Sequence, residues 1–363
     1  MAFHRILLSS VQNEQNILPS GHPLSSNHNV DHNRCSKYCS NRTDTEFCRC
    51  KSSSSNQVTE EAEDSKDKEK QRNFDIFKYD GLKAIKIGKT GYAIRCFKEA
   101  LEIEEEFETL SYLASAYIQQ NDIPEAIEIY SRMAVIDPDY TETFLNRAQL
   151  YLQENQGEAS IADCEYILSK NASDYRAYFL MGKAQKILNQ PEKAIEALSK
   201  AIEIKNDMAD LFLLRSGLLA GQKQYDQALE DINTAITLAP EEENAYIQRG
   251  AIFEATGNTK AALQDYTTVV ELNPFHEQAY LETGRILLAQ NLTDEAIRHF
   301  DEAIENKPDF GRAYIARGKA KELKGDKTGA LEDLKTGAEL TEESDETIKQ
   351  PVDFNDLYAN RPL

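Results

Sequence analysis

The stretch from Asp294 to Gly318, DEAIRHFDEAIENKPDFGRAYIARG, decides the fold. Ala296, Ile297, Phe300, Ala303 and Ile304 recur at helical spacing and make one apolar face. Lys307-Pro308 ends that helix, because the proline ring crowds the residue before it out of the helical conformation. Phe310, Ala313, Tyr314 and Gly318 then open a second apolar face. The stretch is the end of one helix, a corner, and the start of the next.

The same pattern recurs along the chain, and such self-similarity outranks any other fold argument. Ala93, Ala126, Ser160, Ala194, Ala228, Ala262, Ala296 and Ala330 are separated by one step of 33 and six of 34 residues. Twelve residues before each lies a second small residue: Gly81, Ala114, Ala148, Gly182, Ser216, Gly250, Gly284, Gly318. Small residues at both places let two helices approach closely. Large side chains stand four residues earlier, from Phe77 and Leu110 to Tyr280 and Tyr314, and fill the space between helices. Within each unit a turn is marked by Gly88, Asn121, Asn155, Asn189, Lys223, Gly257, Asn291 or Gly325. All but Lys223 are types that tolerate the left-handed conformation a helix end often needs. Each unit therefore reads as a helical hairpin. Units are expected to start near 74, 107, 141, 175, 209, 243, 277 and 311, forming an array over 74–344. Such an array accommodates 363 residues without one large core, since each unit packs only on its neighbours.

PEAIEIYSRMAVIDPD (124–139), YDQALEDINTAITLAP (225–240) and DEAIRHFDEAIENKPD (294–309) carry small, aromatic and proline residues at the spacing of the tetratricopeptide repeat family, which the array resembles. There are departures. The first aromatic position holds no tryptophan, and Glu105, Ala172, Asn206 and Glu342 replace the corner proline in four units. The resemblance implies an all-α, right-handed superhelical solenoid whose first helices line a concave groove. It also implies a scaffold or adaptor that binds a peptide or helix of another protein there, without catalysis or cofactor. An alternative use is as a recruiting subunit of an enzyme complex, such as a glycosyltransferase or peptidase.

Carried onto this chain, the inward apolar positions are Leu145, Phe179, Leu213, Ile247, Leu281 and Ile315, with Lys78 and Ser111 in the first two units. Neighbouring inward positions hold Lys86, Lys183, Lys186, Arg285 and Lys319 against Glu254 and Glu322. A groove of that polarity favours a ligand with apolar anchors and negative charge. Family members that clamp a chaperone's C-terminal carboxylate use Lys and Asn. Here Lys78 matches the first lysine, but Leu82 stands where asparagine is required, so that mode is not expected.

Four arginines belong to the architecture. Arg147, Arg215, Arg249 and Arg317 precede the first small residue of their units, and Asp163, Asp231, Asp265 and Asp333 follow sixteen residues later. Units lacking the arginine lack the aspartate too. A planar guanidinium fork suits a carboxylate, so each pair is expected to bridge the two helices of its unit.

The net charge of -21 resides wholly in 74–363, because residues 1–73 carry ten basic and ten acidic residues. An acidic array repels phosphate backbones, which argues against nucleic-acid binding. No apolar run reaches the roughly 20 residues of a membrane span. The opening MAFHRILLSSVQ is not expected to be a secretory signal. Residues 1–73 lack apolar periodicity and are expected to be a disordered tail. Cys35, Cys39, Cys48 and Cys50 in that tail are weak metal candidates, because Cys-x3-Cys followed by Cys-x-Cys is not a common zinc spacing. Cys96 and Cys164 sit in helical patterns as small hydrophobes, which fits a reducing, cytoplasmic setting. No HExxH, P-loop or GxSxG pattern is present. Residues 345–363, with Val352, Phe354, Leu357 and Tyr358, are expected to cap the last hairpin, or else to occupy the groove as an internal ligand.

Overall fold

The computed structural model describes residues 50–342, with side chains from 66 to 341. Sixteen helices and no strand lie in that span, and they pair as hairpins. In order they are α1 (Cys50–Lys86), α2 (Thr90–Ile103), α3 (Phe107–Gln119), α4 (Ile123–Ile136), α5 (Thr141–Gln153), α6 (Gly157–Lys170), α7 (Tyr175–Ile187) and α8 (Pro191–Ile204). There follow α9 (Ala209–Gly221), α10 (Tyr225–Leu238), α11 (Glu243–Ala255), α12 (Thr259–Leu272), α13 (Glu277–Ala289), α14 (Thr293–Asn306), α15 (Gly311–Lys324) and α16 (Lys327–Glu342). The array is an all-α solenoid, and each helix packs chiefly on the helices before and after it.

Two local devices make each hairpin. The turn residues Gly88, Asn121, Asn155, Asn189, Lys223, Gly257, Asn291 and Gly325 all have positive φ, between 54° and 90°. That conformation ends the first helix and reverses the chain. The small residues then allow the helices to touch. A Cβ at Gly284 would stand 2.5 Å from Phe300, and one at Gly250 would stand 2.5 Å from the Tyr266 ring. Phe97, Tyr266 and Phe300 are in turn fully enclosed, so bulk on one helix fills the space that glycine leaves on the other.

The corners between units do not depend on proline. Glu104, Asn171 and Lys205 end their helices with φ of -148°, -140° and -140°, in units without the corner proline. Asn273 and Lys307, each followed by proline, have φ of -140°. Proline enforces an extended residue before it. Where proline is missing, the same extended residue occurs without it, and at Asn171 the side-chain Oδ1 accepts from Ser173 N at 3.1 Å.

The boundary expected at Phe74 is not where helix begins. Residues 50–73 continue α1 upstream as helix, against the expectation of a disordered tail through 73. The residues from 66 to 73 are exposed and are mostly Lys, Glu, Gln, Arg and Asp, such as Asp67 and Lys70 or Glu69 and Arg72 at i, i+3. Gln71 Nε2 donates to Asp75 Oδ1 at 3.3 Å. High propensity and local polar pairs sustain such a helix without an apolar face, so a search for periodic hydrophobicity passes over it. Cys35, Cys39 and Cys48 fall outside the described residues, as does the segment 343–363. Among the described residues no group of His, Cys, Asp and Glu is placed to hold a metal, and no helix is long and apolar enough to cross a membrane.

Candidate functional site

First helices of successive units touch one another, as α5 with α7, α9 with α11 and α13 with α15 do, and no pair of second helices approaches as closely. The first helices therefore line the tighter, inner side of the array, and this face is the candidate site.

The apolar stripe expected on that face is not available to a ligand. Leu145 and Phe179 are 6% and 9% exposed, and Leu213, Ile247 and Leu281 only 1–2%. Each belongs to an apolar cluster with its own unit's second helix, for example Leu281 with Ala296, Phe300 and Ala303. The physical reason is the close approach of the helices. At that spacing the position points between helices and is covered from two sides. Only Ile315, in the last unit, stays half-open.

Two of the inner-face cations are held by ion pairs. Lys78 is bound: its Nζ donates to Glu106 at 2.9 Å and to Glu108 of the next unit. Burial pulls its pKa down, and the two carboxylates outweigh that and raise it. Arg285 is bound as well, to Glu282, a carboxylate only 2% exposed. Gln278 Nε2 also donates to Glu282, and Arg312 approaches it at 3.9 Å. Burial raises the Glu282 pKa, against the pull of Arg285. Nearby, Tyr266 donates its hydroxyl to Glu254 at 2.6 Å. Burial, helped by that carboxylate, holds the phenol far above its usual range. Sequence reasoning placed Arg285 and Glu254 on this face but missed the buried Glu282, since an acidic residue at an interior position looks the same in sequence as one on a solvated face.

Lys183, Lys186 and Lys319 are the other three. Lys183 extends over the Phe179 ring, 4.4 Å from its centroid, and makes no ion pair among the described residues. Burial lowers its pKa, and Asp210 opposes that. Lys186 borders a shallow cleft of about 160 Å³ with Asn189, Pro191, Leu218, Gly221 and Gln222. Lys319 is exposed.

The four arginines form bidentate bridges within their units. Arg147 reaches Asp163 at 2.9 and 2.6 Å, and Arg215 reaches Asp231 at 2.7 and 2.7 Å. Arg249 reaches Asp265 at 2.9 and 2.7 Å, and Arg317 reaches Asp333 at 2.8 and 2.8 Å. Each guanidinium has a further arm. Nη1 donates to Ser131, Ser199, Asn233 or Asp301, sixteen residues earlier, on the second helix of the preceding unit. One side chain thus braces three helices. The spacing was visible in the sequence, but a serine carries no charge to mark it as an ion-pair partner. Cys96 and Cys164 are free and buried, and burial pushes the Cys164 thiol up to about 12, as suits an inert hydrophobe.

Models of the tetratricopeptide repeat match residues 213–277, 248–309 and 281–340, and a second such model matches 175–208. The chain is a tetratricopeptide repeat protein. A crystal structure of a tetratricopeptide repeat protein from Parabacteroides merdae superposes with a TM-score of 0.54 at 20% identity, covering 74% of this chain and 99% of that one. Human protein O-mannosyl-transferase TMTC1 is 26% identical over 144 residues, 39% of this chain and 16% of that protein. Hsc70-interacting protein 1 of Drosophila melanogaster is 30% identical over 106 residues, 29% of this chain and 28% of that one. This tetratricopeptide repeat chain therefore spans less than a third of either relative's length.

Proposed function

We propose that this repeat protein is a non-catalytic scaffold whose inner face takes a carboxylate-bearing segment of a partner protein at units 4 and 5. The observation that carries this reading is Lys183. It is a largely enclosed cation, stacked on Phe179 and without an ion pair among the described residues, in a chain of net charge -21. A desolvated, unneutralised cation gains more from an incoming anion than a solvated one does. Lys186 lies one helical turn along the same face, beside the cleft that Leu218 and Gly221 border. The stripe of buried hydrophobics is the floor that holds these cations in place, not a set of anchors. A protein partner also agrees with the names of the Hsc70-interacting relatives.

The test is affinity capture with the intact chain, then titration of the identified partner. Lys183→Met with Lys186→Met, which removes the charges and keeps the apolar stems, should weaken partner binding about tenfold or more with little change in melting temperature. Equal affinity of the variant and the parent chain would remove this site.

A further inference from the structure

The last hairpin leaves one stripe open. Arg312, Ala316, Lys319 and Leu323 lie at i, i+4, i+7 and i+11 on α15, so they share one face. Arg312, Lys319 and Leu323 are exposed, Leu323 at 71%. In unit 7 the counterpart of Ala316 is Glu282, which the following unit covers; no further hairpin covers Ala316 among the described residues. Arg285 and Arg312 converge on Glu282, and Lys319 makes no ion pair among the described residues. Three cations therefore border the stripe, against Glu322 and a Glu282 that Arg285 and Arg312 already share.

The segment 343–363 has the complementary chemistry. It carries Glu343, Asp345, Glu346, Asp353 and Asp356 against Lys349 and Arg361, with Val352, Phe354, Leu357 and Tyr358 as apolar groups. It does not continue the repeat in phase. A ninth first helix would open near 345, and Pro351 would fall in its interior, where proline breaks a helix. Asp353, Asp356 and Leu357 are instead spaced i, i+3 and i+4, two carboxylates and one apolar group on one side of a helical turn.

We propose that residues 352–358 dock on the Arg312–Leu323 stripe of their own chain, with Asp353 and Asp356 against Arg312 and Lys319 and Leu357 beside Leu323. The exit point favours it. Gly311 lies against Gly337 and Thr341, so the chain leaves α16 beside the start of α15, next to Arg312. Residues 343–351 reach about 30 Å when extended, and the stripe from Arg312 to Leu323 is about 16 Å long. Tethering also raises the effective concentration to the millimolar range, enough to populate a weak contact. The other open apolar position, Leu331 on α16, is less suited. Of its neighbours at i-4 and i+4, Lys327 and Lys335, the second is already engaged by Glu339, and the adjacent Glu332 repels an acidic segment. On the reading that the inner face binds a partner, the docked segment would compete with that partner at the unit 8 end.

Hydrogen–deuterium exchange on the intact chain, with no partner added, tests the docking independently of that reading. Residues 352–358 should exchange about tenfold or more slower than an unstructured peptide, independently of protein concentration. Arg312→Glu with Lys319→Glu should abolish the protection, as should Asp353→Lys with Asp356→Lys, and the four changes together should restore it. Exchange in α14 should be the same in all variants. Free-peptide rates in the parent chain would overturn the proposal. So would protection that survives the groove reversals but falls with Leu331→Asp, which would place the segment on the end face. Protection lost on dilution would assign it to a second copy and equally overturn it.

Discussion

Units 6 and 7 share one backbone frame and close it differently. In unit 6, Arg249 grips Asp265 with two hydrogen bonds and reaches Asn233 with a third. In unit 7, Thr283 and His299 stand at the same two positions, and the His299 Nδ1 has no hydrogen-bond partner. The glycine contact is nevertheless the same, 2.5 Å from a virtual Cβ to the ring in both units. Glycine against an aromatic ring therefore sets how closely the helices approach. The brace is an addition to that packing, and its value depends on keeping both charges paired.

The largest expected effect follows from breaking the brace in unit 6. Arg249→Ala leaves Asp265 buried without its partner, which should cost about 3–5 kcal/mol. Replacing both residues by leucine should recover most of that loss, because a well-packed apolar pair is close to neutral against a buried ion pair. Denaturant titration of the single and double variants measures this. A single variant as stable as the parent chain would mean that the brace contributes nothing to the fold.

The contact common to both units gives the next effect. Gly284→Ala and Gly250→Ala each force an aromatic ring aside, at about 1–3 kcal/mol. Unit 6 should suffer more, because the Tyr266 hydroxyl is tied to Glu254 at 2.6 Å and Phe300 has no such tether. Equal losses in the two variants would show that the tether does not restrain the ring.

Most of this fold was legible in the sequence. The positions of the turns, the helix-approach glycines and the Arg–Asp pairs are short-range patterns with strict chemical requirements, and repetition amplifies them. The candidate site was less legible. Lys78 and Lys183 look equivalent as lysines at inner positions, yet Lys78 is neutralised by Glu106 and Glu108 and Lys183 is stacked on Phe179. That difference depends on which neighbouring unit supplies a carboxylate, and on how deep the position lies once the helices close. Leu213 and Ile247 were misjudged for the same reason: periodicity gives a face, but enclosure from two sides comes only with packing. The polar helix upstream of Phe74 was missed because it has no apolar face to detect.

A pH series sharpens the contrast between the two modes of closure. Burial depresses the His299 pKa below its ordinary 6.5. The folded chain thus resists a proton that the unfolded chain accepts, so stability is complete above pH 6.5 and declines as the pH falls through that value towards the folded pKa. Asp333 of unit 8 behaves differently. Burial raises its pKa, but Arg317 and Lys321 outweigh burial and hold it below the ordinary 3.8. Its contribution is present above pH 3.8 and disappears only as the pH falls further, through the folded value. Melting temperatures between pH 8 and about 5 should therefore fall for the parent chain and less for His299→Gln. Identical slopes would show that His299 is solvated in both states.

The smallest expected effect concerns the turns, where units 5, 6 and 7 place Lys223, Gly257 and Asn291 in one conformation, with φ of 61°, 80° and 62°. A left-handed φ costs a residue with an ordinary side chain roughly 1 kcal/mol, less for asparagine and almost nothing for glycine. Lys223 is exposed, and its side chain makes no ion pair or hydrogen bond among the described residues. Lys223→Gly should then stabilise the array by no more than about 0.5 kcal/mol once the greater freedom of glycine in the unfolded chain is set against the relieved strain. Lys223→Asn should gain less, and Gly257→Lys should lose about what Lys223→Gly gains. Measured together, the three variants separate backbone strain from side-chain contact: if Lys223→Gly destabilises the chain, the lysine is held by something other than the turn.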